Sequence, residues 1–409
     1  MNILFIHQNF PGQFRFVSKA LADRGHTVKA LSIFGKPVDG VEVMNYDLKK
    51  QNTPGIHPLA IEFETKVTRG EAAMYGMLKL KNLGFIPDLV IAHPGWGESL
   101  FAKDIFPDAK LINYIEFYYG IDTDISFDPE FRPDDLTARV QMRIKNANNL
   151  ISLEAMDGGI SPTHWQKSTA PHIYQHKIKV IFDGVNTSIL KPLARSQLKI
   201  KLSGNKEITL NKDDEIVTYV SRNLEPYRGY HSFMRSLPKL MQERPNAKII
   251  MIGDNKTSYG KPPPSKETWQ SIFFNEVKDK IDLHRIYFLG AIPYEAYVTL
   301  LQMSRVHVYL TYPFVMSWSA IEAMSCGALM VGSRTAPVEE FIQHKKNGLL
   351  VDFFNYDEIA DTIAEALAKP NDYLHLKEAA RKTVVDHYDL ETVCLPQQLN
   401  YFESFIHSK

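Results

Sequence analysis

Short apolar runs that end in a Gly/Pro turn and lead into a helical pattern recur along this sequence. No other feature constrains the fold as strongly. The first run, Asn2-Ile3-Leu4-Phe5-Ile6, gives way to the turn Asn9-Phe10-Pro11-Gly12. Phe14, Val17 and Leu21 then recur at helical spacing, Gly25 stops that helix, and Thr27-Val28-Lys29-Ala30-Leu31 reads as the next strand. A buried strand, a turn, an amphipathic helix and a second strand make a βαβ unit. Asp88-Leu89-Val90-Ile91-Ala92, before the turn His93-Pro94-Gly95-Trp96-Gly97, and Lys110-Leu111-Ile112-Asn113-Tyr114 continue the pattern. Val180-Ile181-Phe182 reads as the last strand of this half.

From Lys191 to Asp214 the chain turns polar and Lys-rich and contains Ser203-Gly204-Asn205, which reads as a connector with room for a hairpin of its own. The βα order then restarts. Strands are expected at Glu215 to Val220, Ala247 to Ile252, Arg285 to Leu289, Val306 to Thr311 and Leu329 to Gly332. Helices are expected at Tyr230 to Leu240 and at Tyr356 to Ala368, before Pro370. The expected architecture is therefore two Rossmann-like, doubly wound α/β domains, 1–194 and 195–392, facing a central cleft. Parallel sheets bind ligands beyond the carboxyl ends of their strands, so that cleft is the expected site.

Composition removes several classes. Lys+Arg and Asp+Glu are both 47, so the formal net charge is zero, whereas a nucleic-acid binder of this size ordinarily carries a basic excess. Apolar residues at 44% and charged residues at 23% exclude a disordered, collagen-like or coiled-coil chain. The two cysteines, Cys326 and Cys394, cannot build a disulfide framework, and no Cys/His spacing matches a zinc site. A reducing, cytoplasmic compartment is expected. The first residues show no secretory signal, and no apolar run reaches about 18 residues. The nearest, Tyr297 to Trp318, is interrupted by Arg305 and His307. The protein is expected to be soluble, or at most peripheral to the inner face of a membrane.

Three segments carry chemistry. In Ser317-Trp318-Ser319-Ala320-Ile321-Glu322-Ala323-Met324-Ser325-Cys326-Gly327, Ser317 is a good N-cap and Gly327 suits the position just past the end. The N–H groups and positive dipole end of such a helix suit a diphosphate. Glu322 lies just over one turn inside, on the face of Trp318, where a carboxylate accepts two hydrogen bonds from a ribose diol; alone it reads more simply as a solvated helix residue. In Val220-Ser221-Arg222-Asn223-Leu224-Glu225-Pro226-Tyr227-Arg228-Gly229 a strand ends in a turn with two arginines. Arg222 and Arg228 could straddle an anion with charge-assisted bonds, or be two surface arginines. Ile252-Gly253-Asp254-Asn255 is a strand-end glycine turn, weak by itself.

Together and in this order, these segments resemble the retaining GT-B glycosyltransferases of family 4, the glycosyltransferase group 1 type. Arg222 and Arg228-Gly229 match that family's Arg…Lys-Gly pair, with Arg in place of Lys. Gly253-Asp254-Asn255 matches its Gly-Asp/Glu-Gly turn, and Leu289-Gly290-Ala291-Ile292 its Leu-Gly-x-Val/Ile. Ile321 to Gly327 matches its Leu-Glu-Ala-Met-Ala-Cys-Gly helix, and Asn347-Gly348-Leu349-Leu350-Val351 its Asn-Gly-Leu-Leu-Val turn. Phe182-Asp183-Gly184-Val185-Asn186 with Pro192 is similar to its Asn-Gly-Val-Asp…Pro segment. One departure stands out. Most members carry Glu-x7-Glu, and eight places before Glu322 this chain has Phe314. The usual anchor for a donor-sugar hydroxyl is absent, with Tyr312, Ser317 or Trp318 as its substitutes. In the first half the family's Gly-rich turn is reduced to Pro11-Gly12-Gln13, His93 matches a strand-end His, and Glu116 stands where many members have a His.

The resemblance implies a retaining glycosyltransferase that moves a sugar from a nucleoside-diphosphate sugar to a hydroxyl of a glycan or lipid-linked acceptor, in glycan, polysaccharide or glycolipid biosynthesis. UDP is the commonest base in that family, so a UDP-sugar such as UDP-glucose is expected. By the same resemblance Arg222 and Arg228 hold the diphosphate, Glu322 holds the ribose, and N–H groups of Trp318 and Ser319 complete the cradle with Ser317. Gly12, Gly253, Asp254, Ala291 and Ile292 line the donor, and His93 and Glu116 serve the acceptor side. The C-terminal helix, 393–409, is expected to pack back on the first domain. No cofactor and no metal are expected. Asp122-Thr123-Asp124 is the Asp-x-Asp with which the other major glycosyltransferase fold holds Mg²⁺ or Mn²⁺, but beside Asp128-Pro129-Glu130 it reads as a solvated loop. A nucleotide-sugar epimerase or hydrolase on the same fold, or a non-catalytic sugar-nucleotide-binding module, remain as alternatives. A dinucleotide-dependent enzyme is disfavoured because no Gly-x-Gly-x-x-Gly follows the first strand.

Overall fold

A computed structural model of the chain describes residues 1–132, 136–193, 197–201, 207–211 and 213–405. It divides into two compact units, Met1–Gly184 with Glu391–Lys409, and Val185–Leu390. In the first, strands β1 (Asn2–Ile6), β2 (Thr27–Ser32), β3 (Val41–Asn45), β4 (Leu89–Ala92), β5 (Lys110–Tyr114), β6 (Gly158–Ser161) and β7 (Ile178–Val180) lie in the order β3-β2-β1-β4-β5-β6-β7, all parallel. β8 (Gln197–Lys201) and β9 (Glu207–Asn211) form an antiparallel pair. The expected connector residues Ser203-Gly204-Asn205 lie outside the described residues. The second unit has β10 (Glu215–Asn223), β11 (Ala247–Asp254), β12 (Ile286–Phe288), β13 (Val306–Tyr309), β14 (Leu329–Ser333) and β15 (Leu349–Val351), parallel in the order β12-β11-β10-β13-β14-β15. Each order reverses beside the sheet's first strand, the Rossmann arrangement. Each unit's own ligand position is therefore at the carboxyl ends flanking that reversal.

The apolar runs are continuous because the strands are covered on both faces. Ile3 and Phe5 point to a core with Phe14, Val17 and Leu21 of the first helix, while Leu4 and Ile6 point to a core with Ala73, Met77 and Leu80 of the helix Ile61–Asn82. The C-terminal helix Leu395–Ser404 belongs to the first of these cores through Leu399 and Phe402, and Glu403 pairs with Arg24 at 2.7 Å.

Some boundaries differ from expectation. The division at 194/195 falls ten residues late, because 185–193 is tied into the second unit. The Thr187 hydroxyl donates to Asp389 at 2.5 Å, and Arg381 Nη1 donates to the carbonyls of Leu190 and Ser325 at 2.8 and 2.6 Å. The later boundary at 392/393 moves to 390/391 for a related reason: Leu390 N donates to Val185 O and Val185 N to Tyr388 O, both at 2.9 Å. The last strand of the first sheet is Ile178–Val180 rather than Val180 to Phe182; Ile181 and Phe182 are buried just past its end.

Candidate functional site

In the second unit the helix Trp318–Cys326 starts as its sequence suggests. Ser317 is extended at the N-cap and its Oγ accepts from Ser319 N, while Gly327 ends the helix at φ +81°. Tyr309, the last residue of β13, accepts hydrogen bonds on its hydroxyl from Ser317 N at 2.9 Å and from Arg228 Nη1 at 3.3 Å. A helix N-terminus and a cation thus converge on one oxygen. Arg228 is 5% exposed. Its other two bonds also run from Nη1, to Thr311 Oγ1 at 3.0 Å and Val315 O at 2.8 Å, so every partner is neutral. The turn that carries it needs Gly229, which sits at φ +68° with Leu310 only 2.3 Å from where a Cβ would stand.

Glu225, fully buried, fixes the other side of this cage. Its carboxylate accepts N–H bonds from Ser258, Tyr259 and Gly260 at 3.2–3.4 Å; burial raises its pKa, and these bonds and the charge of Arg228 work against that. Pinned in this way, Tyr259 holds its ring 5.0 Å from the Arg228 guanidinium, and Phe314 stands at 5.5 Å. A guanidinium taken out of water carries a desolvation cost, which the buried Glu225 carboxylate offsets in part and a bound anion would offset further.

Apart from Gly12, which lies after β1 in the first unit, the remaining residues expected to bind the donor belong to the second unit. Arg222 is exposed near the end of β10, unlike Arg228, so the two arginines are not an equivalent pair. Gly253 N donates to Gly290 O at 3.3 Å; Asp254 is exposed at the end of β11, with its Oδ1 accepting from Asn255 N at 3.0 Å. Ala291 is exposed and Ile292 half-buried, just beyond β12. Phe314 is buried against Tyr227 and Tyr259, with centroids 5.4 and 5.0 Å away, so an aromatic wall stands where the family has a carboxylate. Of its expected substitutes, Tyr312 is buried beside Tyr227, Ser317 caps the helix and Trp318 is largely exposed. Glu322 is not a solvated helix carboxylate. It is half-buried, and both of its oxygens are occupied, by Tyr294 Oη at 3.1 Å and Tyr297 Oη at 2.5 Å. Burial raises its pKa, and the two phenols oppose the rise. Sequence reasoning missed both tyrosines, as it missed Glu225.

In the first unit the ends of β1, β4 and β5 bring together His7, His93 and Glu116. His93 Nδ1 accepts from Gly95 N at 3.2 Å, which leaves Nε2 to carry a proton, 3.5 Å from Glu116 Oε2. The ring stacks on Trp96 at 4.3 Å and beside Tyr114 at 5.5 Å. His93, Glu116 and Tyr114 line a small pocket with Phe117, Tyr118 and Tyr119. His7, not singled out in the sequence, is pushed down to about 3 by burial and by His93, so it is neutral; its ring lies where a Cβ on Gly12 (φ +47°) would come within 2.5 Å. The Asp-x-Asp segment is not the solvated loop expected. Asp124 and Asp128 are buried, with Asp124 Oδ1 accepting from Thr123 Oγ1 at 2.9 Å and Asp128 Oδ1 from Glu130 N at 2.9 Å. The side chain of Asp122 lies outside the described part. Among the described residues no three His, Cys, Asp or Glu side chains are grouped to hold a metal ion, and no helix is long and apolar enough to cross a membrane.

Residues 24–190 match the family model described as "Glycosyl transferase family 4 group", and residues 204–383 match "Glycosyl transferases group 1". An uncharacterized glycosyltransferase of Methanocaldococcus jannaschii is 23% identical over 220 residues, 54% of this chain and 52% of that protein. The N-acetyl-alpha-D-glucosaminyl L-malate synthase of Bacillus anthracis is 22% identical over 226 residues, 55% of this chain and 54% of that protein. The chain spans about half the length of these curated relatives. Among solved structures, a sucrose-phosphate synthase of Thermosynechococcus elongatus superposes with TM-score 0.72 at 18% identity over 100% of both chains. Anabaena HepE in complex with UDP-glucose does so with TM-score 0.67 at 15% identity over 99% of both chains. The two α/β units therefore have the GT-B fold, and with family models matching most of each, this chain belongs to the family 4, group 1 glycosyltransferases.

Proposed function

We propose that this protein is a retaining glycosyltransferase that uses a UDP-sugar, UDP-glucose being one candidate, and transfers the sugar to a hydroxyl acceptor in glycan, polysaccharide or glycolipid biosynthesis. The observation that carries the reading is Arg228, a buried cation whose hydrogen-bond partners are all neutral, joined through Tyr309 to a helix N-terminus. Both features favour a diphosphate. The HepE complexes with UDP and with UDP-glucose support the choice of base.

In the proposed reaction the bond between the sugar's anomeric carbon and the β-phosphate oxygen breaks, and a bond from the acceptor oxygen forms on the same face. The acceptor's proton passes to the leaving phosphate. The anomeric centre becomes oxocarbenium-like while the diphosphate gains negative charge. Arg228 and the positive end of the helix that starts at Trp318 would stabilise that charge, the N–H groups of Ser317 and Ser319 already donating to Tyr309 Oη and Ser317 Oγ, and no protein nucleophile is required. Glu322 takes the ribose. His93 and Glu116 orient the acceptor hydroxyl in the pocket of the first unit. A cytoplasmic setting suits two free, buried cysteines.

The test is protection against thermal unfolding by UDP-, GDP- and ADP-sugars and by UDP and UMP. A ligand at about 100 times its dissociation constant adds about 2.7 kcal/mol. UDP should protect more than UMP, because only its second phosphate reaches Arg228; equal protection would contradict the diphosphate cradle. Phe314, standing in place of a sugar-binding carboxylate, favours one second reading, a non-catalytic sugar-nucleotide-binding module; UDP-sugar binding with no UDP released, with or without an acceptor, would select it. The diphosphate charge is already met by Arg228 and a helix dipole, so UDP release should persist in excess EDTA. Loss in EDTA that Mn²⁺ or Mg²⁺ restores would overturn the cation-free mechanism.

A further inference from the structure

We propose that Tyr294 and Tyr297 are positioning residues that hold the Glu322 carboxylate in one orientation, leaving two of its acceptor sites for the ribose diol of a bound nucleotide. The proposal rests on the ribose role given to Glu322 above. Both tyrosines lie in the first turn of the helix Tyr294–Met303, three residues apart, so their phenols leave the same face. Tyr294 donates to Oε1 at 3.1 Å and Tyr297 to Oε2 at 2.5 Å, one phenol on each oxygen. A carboxylate offers about four lone-pair sites. Two are taken, and two remain, which is the number a vicinal diol can donate into.

The clamp also answers a problem that burial creates. A half-buried glutamate tends to protonate, and a neutral carboxyl is a poorer acceptor for a diol; phenol hydrogen bonds favour the ionised form. Tyr297 is itself 9% exposed, and burial and the nearby carboxylate push its phenol well above its ordinary pKa, so it remains a donor. The two rings support each other at 5.8 Å. A glutamate held at two points has already lost its rotamer freedom, so the nucleotide meets a pre-ordered acceptor.

The test compares UDP with 2′-deoxy-UDP by titration calorimetry, in the parent chain and in Tyr297→Phe and Tyr294→Phe. The parent should prefer UDP. Tyr297→Phe should weaken UDP about tenfold or more while leaving 2′-deoxy-UDP nearly unchanged, so the preference shrinks. Tyr294→Phe, at a half-exposed ring that the fold does not need, should act in the same direction more weakly. Undiminished preference in both variants would overturn the clamp and leave the ribose role of Glu322 standing. Tighter UDP binding by either variant would also overturn it, since the phenols would then be competitors of the ribose. A parent chain indifferent to the 2′-hydroxyl would remove the ribose role itself, and the clamp with it.

Discussion

Arg228→Met is expected to bind UDP about 2–5 kcal/mol more weakly than the parent chain, the cost of removing one partner of a buried charged pair, while its affinity for UMP changes little. The selectivity follows from place. Arg228 bonds to Tyr309, which also takes the N–H of Ser317, so the guanidinium sits at the helix start where a second phosphate would lie. The variant should still fold. It loses three hydrogen bonds worth about 1 kcal/mol each and escapes the desolvation cost of a buried guanidinium, with methionine filling much of the same space. Calorimetric titration with both nucleotides, beside a thermal melt, checks both halves. Unchanged UDP affinity in a folded variant would remove Arg228 from the cradle.

Glu98→Gln is expected to stabilise the protein by about 3 kcal/mol near pH 8 and to leave it unchanged near pH 4. Glu98 is 0% exposed. Burial pushes its pKa from 4.5 up to about 7, against the pull of its own backbone N–H and of Arg69, His93 and Lys66. The folded chain therefore holds a proton on Glu98 over a range where the unfolded chain has released it. The stability tied to that proton is complete below the unfolded value and is lost as pH rises through about 7. Glutamine has nearly the same shape and no such proton, so its stability lacks that decline. Denaturant unfolding of both proteins at the two pH values measures the difference; equal stabilities near pH 8 would contradict the burial argument.

What could be read from the sequence is what local chemistry decides. β4 is apolar throughout and β1, β10, β11 and β13 carry apolar runs because both their faces are covered, and the ends of the helix Trp318–Cys326 follow from Ser317 and Gly327 alone. β6, Gly158-Gly159-Ile160-Ser161, lacks a strand signal because half of it has no side chain, and β3, Val41-Glu42-Val43-Met44-Asn45, is an edge strand with a charge on it. The helix Ile61–Asn82 presents Gly70, Ala73 and Gly76 inward, small residues that carry little hydrophobic periodicity. Within the site, the burial of Arg228 was not legible, since Tyr259 and Phe314 come from distant segments and are held there by Glu225 and by the strand order. The tyrosines on Glu322 lie on the preceding helix, across β13, and only the sheet's topology brings them to it. Polar residues between Lys191 and Asp214 suggested a joint, yet the chain passes between the units earlier, where Val185 and Leu390 are hydrogen-bonded.

Crystals grown with UDP provide the most direct test of the diphosphate cradle. The β-phosphate is expected within hydrogen-bonding distance of Arg228 and of N–H groups at the start of the helix Trp318–Cys326, with the ribose hydroxyls on Glu322. UDP bound elsewhere, with Arg228 still held only by Tyr309, Thr311 and Val315, would contradict it.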